Sequence, residues 1–391
     1  MTGALIVGAG LGGLRAAEAL RSSGFQGAIT VVGDEPHPPY NRPPLSKEAL
    51  SAGVHVDELA FRRKDSVGDA TWRLGAGAVA SHLAARTVTL ADGAVLDFEG
   101  LVIATGIRPR TLPIPGPTDG RLMLRTIADA THLREHLRPG ANLIIMGAGF
   151  IGCEVAATAV HLGATVHVVA LDTEPMVRPL GEELGAAMRR RHQANGVHFH
   201  LGRTVDRFEG QTQVTGAVLD DGTELATDLV LEAVGSVPNT QWLAGNGLDL
   251  QDGVQVDAAM VVAGTDAPVV AVGDLACYPH ALFPGAPRRI EHWNMPTETG
   301  RRAGRTLAAL MRGADPGTEP FTAMPAFWSD QYHHKLQSFG MPGLADRIEV
   351  VSGNVDEDCI VAYHDRQGLV GVVGIDRTSE LAPYRRQLMD R

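Results

Sequence analysis

The chain has 391 residues, more than one ordinary core accommodates, so two or three domains are expected. Its composition, 44% hydrophobic and 20% charged, is that of a globular protein, and a formal net charge of −11 argues against a nucleic-acid binder. The cysteines Cys153, Cys277 and Cys359 lie far apart without C-x-x-C spacing, which argues against a disulfide framework or a thiolate zinc site. No apolar run reaches the ~18 residues of a membrane span.

The chain opens on the apolar run Ala4-Leu5-Ile6-Val7 with no basic leader, so a reducing cytoplasm is the expected location. The glycine string Gly8-x-Gly10-x-x-Gly13 follows, then a helix over 12–23 and a strand over 28–32 that ends at Gly33-Asp34-Glu35. The proline-rich segment 36–44 cannot be a helix. Residues 79–90 and 94–98 read as a hairpin closed by Asp92-Gly93, and Leu101-Val102-Ile103 as a strand ending in Ala104-Thr105-Gly106. A second strand–glycine–helix–strand pattern runs from Leu143 to Val169, through Gly147-x-Gly149-x-x-Gly152. Another hairpin centres on Asp221-Gly222, and Leu229-Val230-Leu231 leads to Val234-Gly235, so the second half repeats the first in outline. Val269 to Asp274 reads as a buried strand ending in an acid, Thr297 to Met311 as a helix and 313–320 as a linker. The tail, with alternating segments at 348–351, 360–363 and 369–375, reads as a small α+β domain.

One glycine fingerprint is a weak signal; two, each after an apolar strand and each opening an Ala-rich helix, are strong. The first glycine of such a string makes the strand-to-helix turn, the second lets a pyrophosphate approach the backbone, and the third lets the helix pack on the strand. Two copies imply two dinucleotides in one chain, with electrons passing between them. An acid about 20 residues past the glycines holds the adenosine ribose of such a ligand; Glu35 fits, with Asp34 its rival.

The order GAGLGG, GDE, ATG, GAGFIG, AVGD spans essentially the whole chain and resembles the two-dinucleotide flavoprotein reductases. Within them, Tyr40-Asn41-Arg42-Pro43-Pro44-Leu45-Ser46-Lys47, Glu291-His292-Trp293 and Phe327-Trp328-Ser329-Asp330-Gln331 are similar to the ferredoxin reductases that serve oxygenases. The resemblance implies an α/β fold of two Rossmann-like domains, an FAD domain (1–108 and 236–314) interrupted by an NAD(P)H domain (109–235), with an α+β interface domain at 315–391. Disulfide reductases of this group carry cysteine after the first βαβ unit. This chain has none between Met1 and Asn142, so a thiol relay is not expected.

The same resemblance implies roles for individual residues. Gly8, Gly10, Gly13, Thr105 and Gly106 would line the FAD site, with Arg42 on the pyrophosphate and Asp274 on the ribityl chain, unless Asp274 only caps the next element. Lys47 would sit near the hydride-accepting edge and pair with Glu154, which contacts the nicotinamide. Trp293 would line the flavin, and the helix after it would point its N-terminus there; Met295 stands where relatives often carry asparagine, and Pro296 is also unusual. Gly147, Gly149 and Gly152 would bind the nicotinamide cofactor. Ala170 stands where the family usually has glutamate; Asp172 could substitute for it, and NADH is favoured over NADPH. Trp328 would be the electron exit, with a core aromatic as the plainer reading. Arg288, Arg289, Arg301, Arg302 and Arg305 form either a docking patch for an acidic ferredoxin or a solvated helix face. His333-His334 lacks the ligand set of a metal site.

The expectation is an FAD-dependent NADH:ferredoxin reductase that delivers single electrons to a transiently bound 2Fe–2S ferredoxin, which feeds a haem-thiolate monooxygenase or a Rieske dioxygenase. No nucleic acid, membrane or metal partner is expected, and the sequence leaves monomer and homodimer open. Rubredoxin, a quinone or a radical as acceptor, or an NADH-responsive interaction protein resembling the apoptosis-inducing factors, are the alternatives.

Overall fold

The computed structural model describes residues 3–391, which divide into two units. The first takes the described residues through Asn41, Val56–Arg108 and Pro238–Ala326. Its central sheet is parallel, in the order Val269–Ala271, Gly100–Ile103, Ala4–Val7, Ile29–Val32, Thr71–Arg73. Ala4–Val7, Gly100–Ile103 and Val269–Ala271 are uninterrupted, fully buried apolar runs, as strands of a parallel sheet covered on both faces require. The order reverses between Ala4–Val7 and Gly100–Ile103, which puts a switch point beside the first fingerprint.

Helix Leu11–Ser22 packs on helix Met295–Met311. Close approach there depends on Gly300 and Gly304: a Cβ would stand 2.6 Å from the Gly12 carbonyl oxygen at the first and 2.5 Å from that of Ala16 at the second. The longer helix begins two residues before Thr297, since Pro296 is preset for a first helical turn and its missing N–H has no partner to lose there. The Asp92-Gly93 turn closes two strands of a three-stranded antiparallel sheet (Ala78–His82, Thr87–Leu90, Val95–Asp97).

The second unit takes Arg42–His55, Pro109–Val237 and Phe327–Arg391. Its parallel sheet runs Val197–Leu201, Thr165–Ala170, Asn142–Met146, Leu229–Glu232, Arg121–Leu122, with the strand before the second fingerprint, Asn142–Met146, at the switch point. A three-stranded antiparallel sheet (Val205–Glu209, Gly216–Leu219, Glu224–Ala226) shares a core with it through Met146, Val169, Phe208 and Leu219. Helix Ile127–His136 is opened by a capping box: the Thr126 hydroxyl accepts from the Asp129 N–H, and the Asp129 carboxylate accepts from that of Thr126, together worth about 1 kcal/mol.

The tail is an antiparallel sheet ordered Ala326–Gln331, His334–Gly340, Gly368–Ile375, Cys359–Asp365, Arg347–Gly353, followed by helix Ala382–Met389. It is docked on the rest of its unit by buried polar contacts. Arg191 Nη2 donates to the carbonyls of Val355 and Glu357, both at 2.7 Å, and the Tyr363 hydroxyl donates to the Leu180 carbonyl at 2.8 Å.

Candidate functional site: two glycine cradles and a buried carboxylate

Protein packing explains two of the three glycines in each fingerprint. Gly8 turns at φ +119° and Gly147 at φ +100°, and a side chain would collide with the carbonyl of Ala104 or Ala233. A Cβ at Gly13 or Gly152 would collide with the carbonyl of Gly8 or Gly147. The middle glycines differ. Gly10 (φ −87°, ψ −167°) and Gly149 (φ −77°, ψ −175°) have extended backbones open to any residue, and a Cβ there meets no atom within 4 Å. Folding does not require glycine at either. Each is the N-cap of a twelve-residue helix whose first turn holds no acid. Bare backbone at a helix N-terminus is what a pyrophosphate needs, so the residues fit a dinucleotide at each site.

Glu35, Thr105, Gly106 and Asp274 each follow shortly after the C-terminal end of a parallel strand of the first unit, where ligands bind in such sheets. Glu35 is half-buried and accepts from the Tyr40 hydroxyl at 2.5 Å, whereas Asp34 is exposed. The Thr105 hydroxyl donates to the Asn239 carbonyl at 2.6 Å, and Gly106 takes φ +63°. Asp274 lies in the short turn Gly273–Leu275 after Val269–Ala271. Trp293 is 39% exposed and donates Nε1–H to Asn41 at 2.9 Å. Asn294, which the sequence reading passed over, ties the start of its helix to the Met324 carbonyl (2.8 Å) and the Ala326 N–H (3.1 Å). The arginine cluster is less basic than its residues suggest. Arg289 pairs with Asp252 and Glu291, Arg301 with Glu298, and Arg302 with Glu319.

The second unit brings Lys47 and Glu154 together, Nζ to Oε2 at 2.8 Å, with side chains only 13% and 8% exposed. Two hydroxyls complete the carboxylate's shell: Ser46 donates to Oε2 at 2.6 Å and Ser329 to Oε1 at 2.7 Å. Sequence reasoning found the ion pair and missed both serines. Neighbouring Cys153 is buried, and burial, with Glu154 beside it, pushes its thiol far up, so it offers no thiolate. Arg42 donates to the Arg125 carbonyl at 2.6 Å.

At the end of strand Thr165–Ala170, Ala170 is buried and Asp172 stands 3.4 Å from Arg178, an exposed arginine that the linear sequence does not place at this turn. On strand Ala326–Gln331, Phe327, Ser329 and Gln331 point inward while Trp328 is 37% exposed. His334 pairs with Asp376 at 2.7 Å. Among the described residues, no group of three or more His, Cys, Asp or Glu is arranged to hold a metal, and no helix is long and apolar enough to cross a membrane.

Two Rossmann-like sheets, each with a dinucleotide cradle at its switch point, and a buried lysine–glutamate pair define a two-dinucleotide oxidoreductase. The chain belongs to the pyridine nucleotide-disulphide oxidoreductase family, which matches residues 3–300; residues 326–391 match the reductase C-terminal domain. It is 36% identical to rhodocoxin reductase of Rhodococcus erythropolis over 358 residues, covering 90% of this chain and 81% of that one. It is 34% identical to putidaredoxin reductase CamA of Pseudomonas putida, covering 99% and 92%. The fold matches the reductase in the crystal structure of the covalent putidaredoxin reductase–putidaredoxin complex, with a TM-score of 0.91 at 32% identity, covering 100% and 93%. The protein is an NAD(P)H-dependent flavoprotein oxidoreductase whose dinucleotides are FAD and NADH.

Proposed function

We propose that this protein is an NADH:ferredoxin reductase, and that its acceptor is a 2Fe–2S ferredoxin feeding a haem-thiolate monooxygenase or a Rieske dioxygenase. The observation that carries the reading is the buried Glu154 carboxylate held by Lys47, Ser46 and Ser329, in a chain whose three cysteines are all buried free thiols. A thiol relay has no residues to run on, so electrons leave to an external carrier. The likeness to a reductase solved in complex with its redoxin supports a small protein carrier. The free thiols suit a reducing cytoplasm.

Gly8, Gly10 and Gly13 seat the FAD pyrophosphate, Glu35 the adenosine ribose and Asp274 the ribityl chain, with Thr105, Gly106 and Trp293 lining the site. Gly147, Gly149 and Gly152 seat the pyrophosphate of NADH, with Asp172 toward its ribose. Lys47 and Glu154 orient the nicotinamide. FAD, when bound, would supply two-electron acceptance from NADH and one-electron release, which a one-electron acceptor needs. Trp328 presents the exit surface.

The test is anaerobic rapid mixing of NADH-reduced protein with 2Fe–2S ferredoxins, rubredoxin and a quinone, following flavin and acceptor absorbance. Fast bleaching of a ferredoxin is the expected result. Transfer only to rubredoxin or quinone would overturn the assigned acceptor. A long-lived charge-transfer band with no acceptor reduced would replace the enzyme with an NADH-responsive interaction protein.

A further inference from the structure

Behind Glu154 lies a chain of buried polar groups that the hydride chemistry does not by itself call for. Ser329 Oγ is 2.7 Å from Glu154 Oε1, and Gln331 Nε2 is 2.9 Å from Ser329 Oγ. Gln331 Oε1 is 2.8 Å from His192 Nε2, and the Tyr332 hydroxyl is 2.9 Å from His192 Nδ1. Ser329, Gln331 and His192 are each at most 1% exposed. The members come from helix Phe150–His161, helix Glu182–Ala194, and strand Ala326–Gln331 with the turn after it.

Every proton in this chain has one allowed place. A carboxylate only accepts, so the single Ser329 proton points at Glu154. The Ser329 oxygen must then accept, and Gln331 must turn its amide N–H toward it; the second amide hydrogen faces Met176 Sδ at 3.6 Å. Gln331 Oε1 therefore accepts, and His192 carries its proton on Nε2. His192 Nδ1 accepts in turn from the Tyr332 hydroxyl. Four donors run in series toward one oxygen of Glu154, each polarising the next. Burial lowers the His192 pKa to about 4, so the ring stays neutral across the working range and the series keeps its direction.

We propose that Ser329, Gln331 and His192 are positioning residues for the hydride step, a directional relay that fixes the rotamer of Glu154 and ties it to the strand bearing Trp328. The proposal rests on the reading of Glu154 as the group that contacts the nicotinamide. Lys47 and Ser46 both reach Oε2, which leaves the carboxylate free to swing about that oxygen. Among the described residues Ser329 is the one that holds Oε1, and the relay holds Ser329.

The test compares Ser329→Thr, which keeps the hydroxyl, with Ser329→Val, which has the shape of that threonine and lacks the hydroxyl. Three quantities are read on holoprotein: the limiting rate of flavin reduction by NADH, the affinity for NAD+ by calorimetry, and the His192 Nε2–H resonance on titration with NAD+. The expected result is a roughly tenfold slower limiting rate in Ser329→Val, with NAD+ affinity within about twofold and Ser329→Thr near wild type. That factor corresponds to losing one hydrogen bond of about 1.4 kcal/mol. The His192 resonance moves with NAD+ in the wild type and stays still in Ser329→Val. Should Ser329→Val fail to fold, Tyr332→Phe at the half-buried end gives the same readouts with a smaller slowing, about twofold. Glu154→Gln is the reference. If it slows reduction while Ser329→Val leaves both rate and resonance as in the wild type, the relay is refuted and the reading of Glu154 survives. If Glu154→Gln leaves the rate unchanged, the reading falls and takes the relay with it.

Discussion

Replacing Gly149 by alanine separates what the chain needs to fold from what it needs to bind. The backbone there is extended, φ −77° and ψ −175°, and a Cβ meets no atom within 4 Å. Two small terms act on the folded protein. Alanine is a poorer N-cap than glycine by some tenths of a kcal/mol, and it removes about 0.4–1 kcal/mol of unfolded-chain freedom. They oppose each other, so the unfolding midpoint without nicotinamide should move by less than about 2 °C. Binding is another matter. A methyl at the helix N-cap holds a pyrophosphate off the backbone N–H groups, and each charge-assisted hydrogen bond lost is worth about 1.5–3 kcal/mol. One such bond raises the Kd for NAD+ by about ten- to a hundredfold. Calorimetric titration with NAD+ beside a thermal melt reads both numbers. Gly147→Ala is the contrast: at φ +100° against the Ala233 carbonyl it should destabilise the protein outright. Unchanged affinity in Gly149→Ala, or a stability loss as large as that of Gly147→Ala, would refute the argument that the middle glycine serves the ligand.

Trp328→Ala should leave flavin reduction by NADH nearly intact and slow ferredoxin reduction about tenfold or more; equal rates in both half-reactions would make Trp328 a packing residue. Ala170→Glu should raise the preference for NADH over NADPH about tenfold, because a carboxylate there accepts from ribose hydroxyls and repels a 2′-phosphate; an unchanged ratio of kcat/KM values would show that the turn at Asp172 and Arg178 already decides the choice. The unfolding midpoint should fall as pH drops from about 6.5 toward 4. Burial chiefly, then the facing rings of His200 and His198, lowers the His167 pKa to about 4, so the unfolded chain takes up its proton first and stability is lost in that window as pH falls. His167→Gln should flatten the fall relative to wild type; parallel curves would refute the assignment.

How much of this was readable in advance depends on how far apart in the chain the cooperating residues lie. Each fingerprint is six consecutive residues whose backbone demands are local, so both cradles and the parallel sheets around them could be read directly. Strand Val197–Leu201 was not foreseen: it is the sheet edge, and His198 and His200 break the apolar run that marks a buried strand. Lys47 and Glu154 carry no spacing signal of their own and were reached only through resemblance. The rest of the carboxylate's shell was invisible because Ser46 and Ser329 lie 108 and 175 residues from Glu154 and are ordinary polar residues taken singly.

The alternation of one strand then links the two ends of the proposed chemistry. Neighbouring residues on a strand face opposite sides, so a side chain offered to an outside partner at 328 obliges residue 329 to point inward. An inward serine in a buried layer must find an acceptor, and the Glu154 carboxylate is that acceptor. Apolar packing alone would not fix that carboxylate's rotamer; a satisfied polar layer does, since any other arrangement of Ser329, Gln331 and His192 leaves a buried donor or acceptor unpaired at a cost of about 1–3 kcal/mol each. The strand that carries the proposed exit residue, Trp328, is in this way held in register by Glu154, the group proposed to orient the nicotinamide.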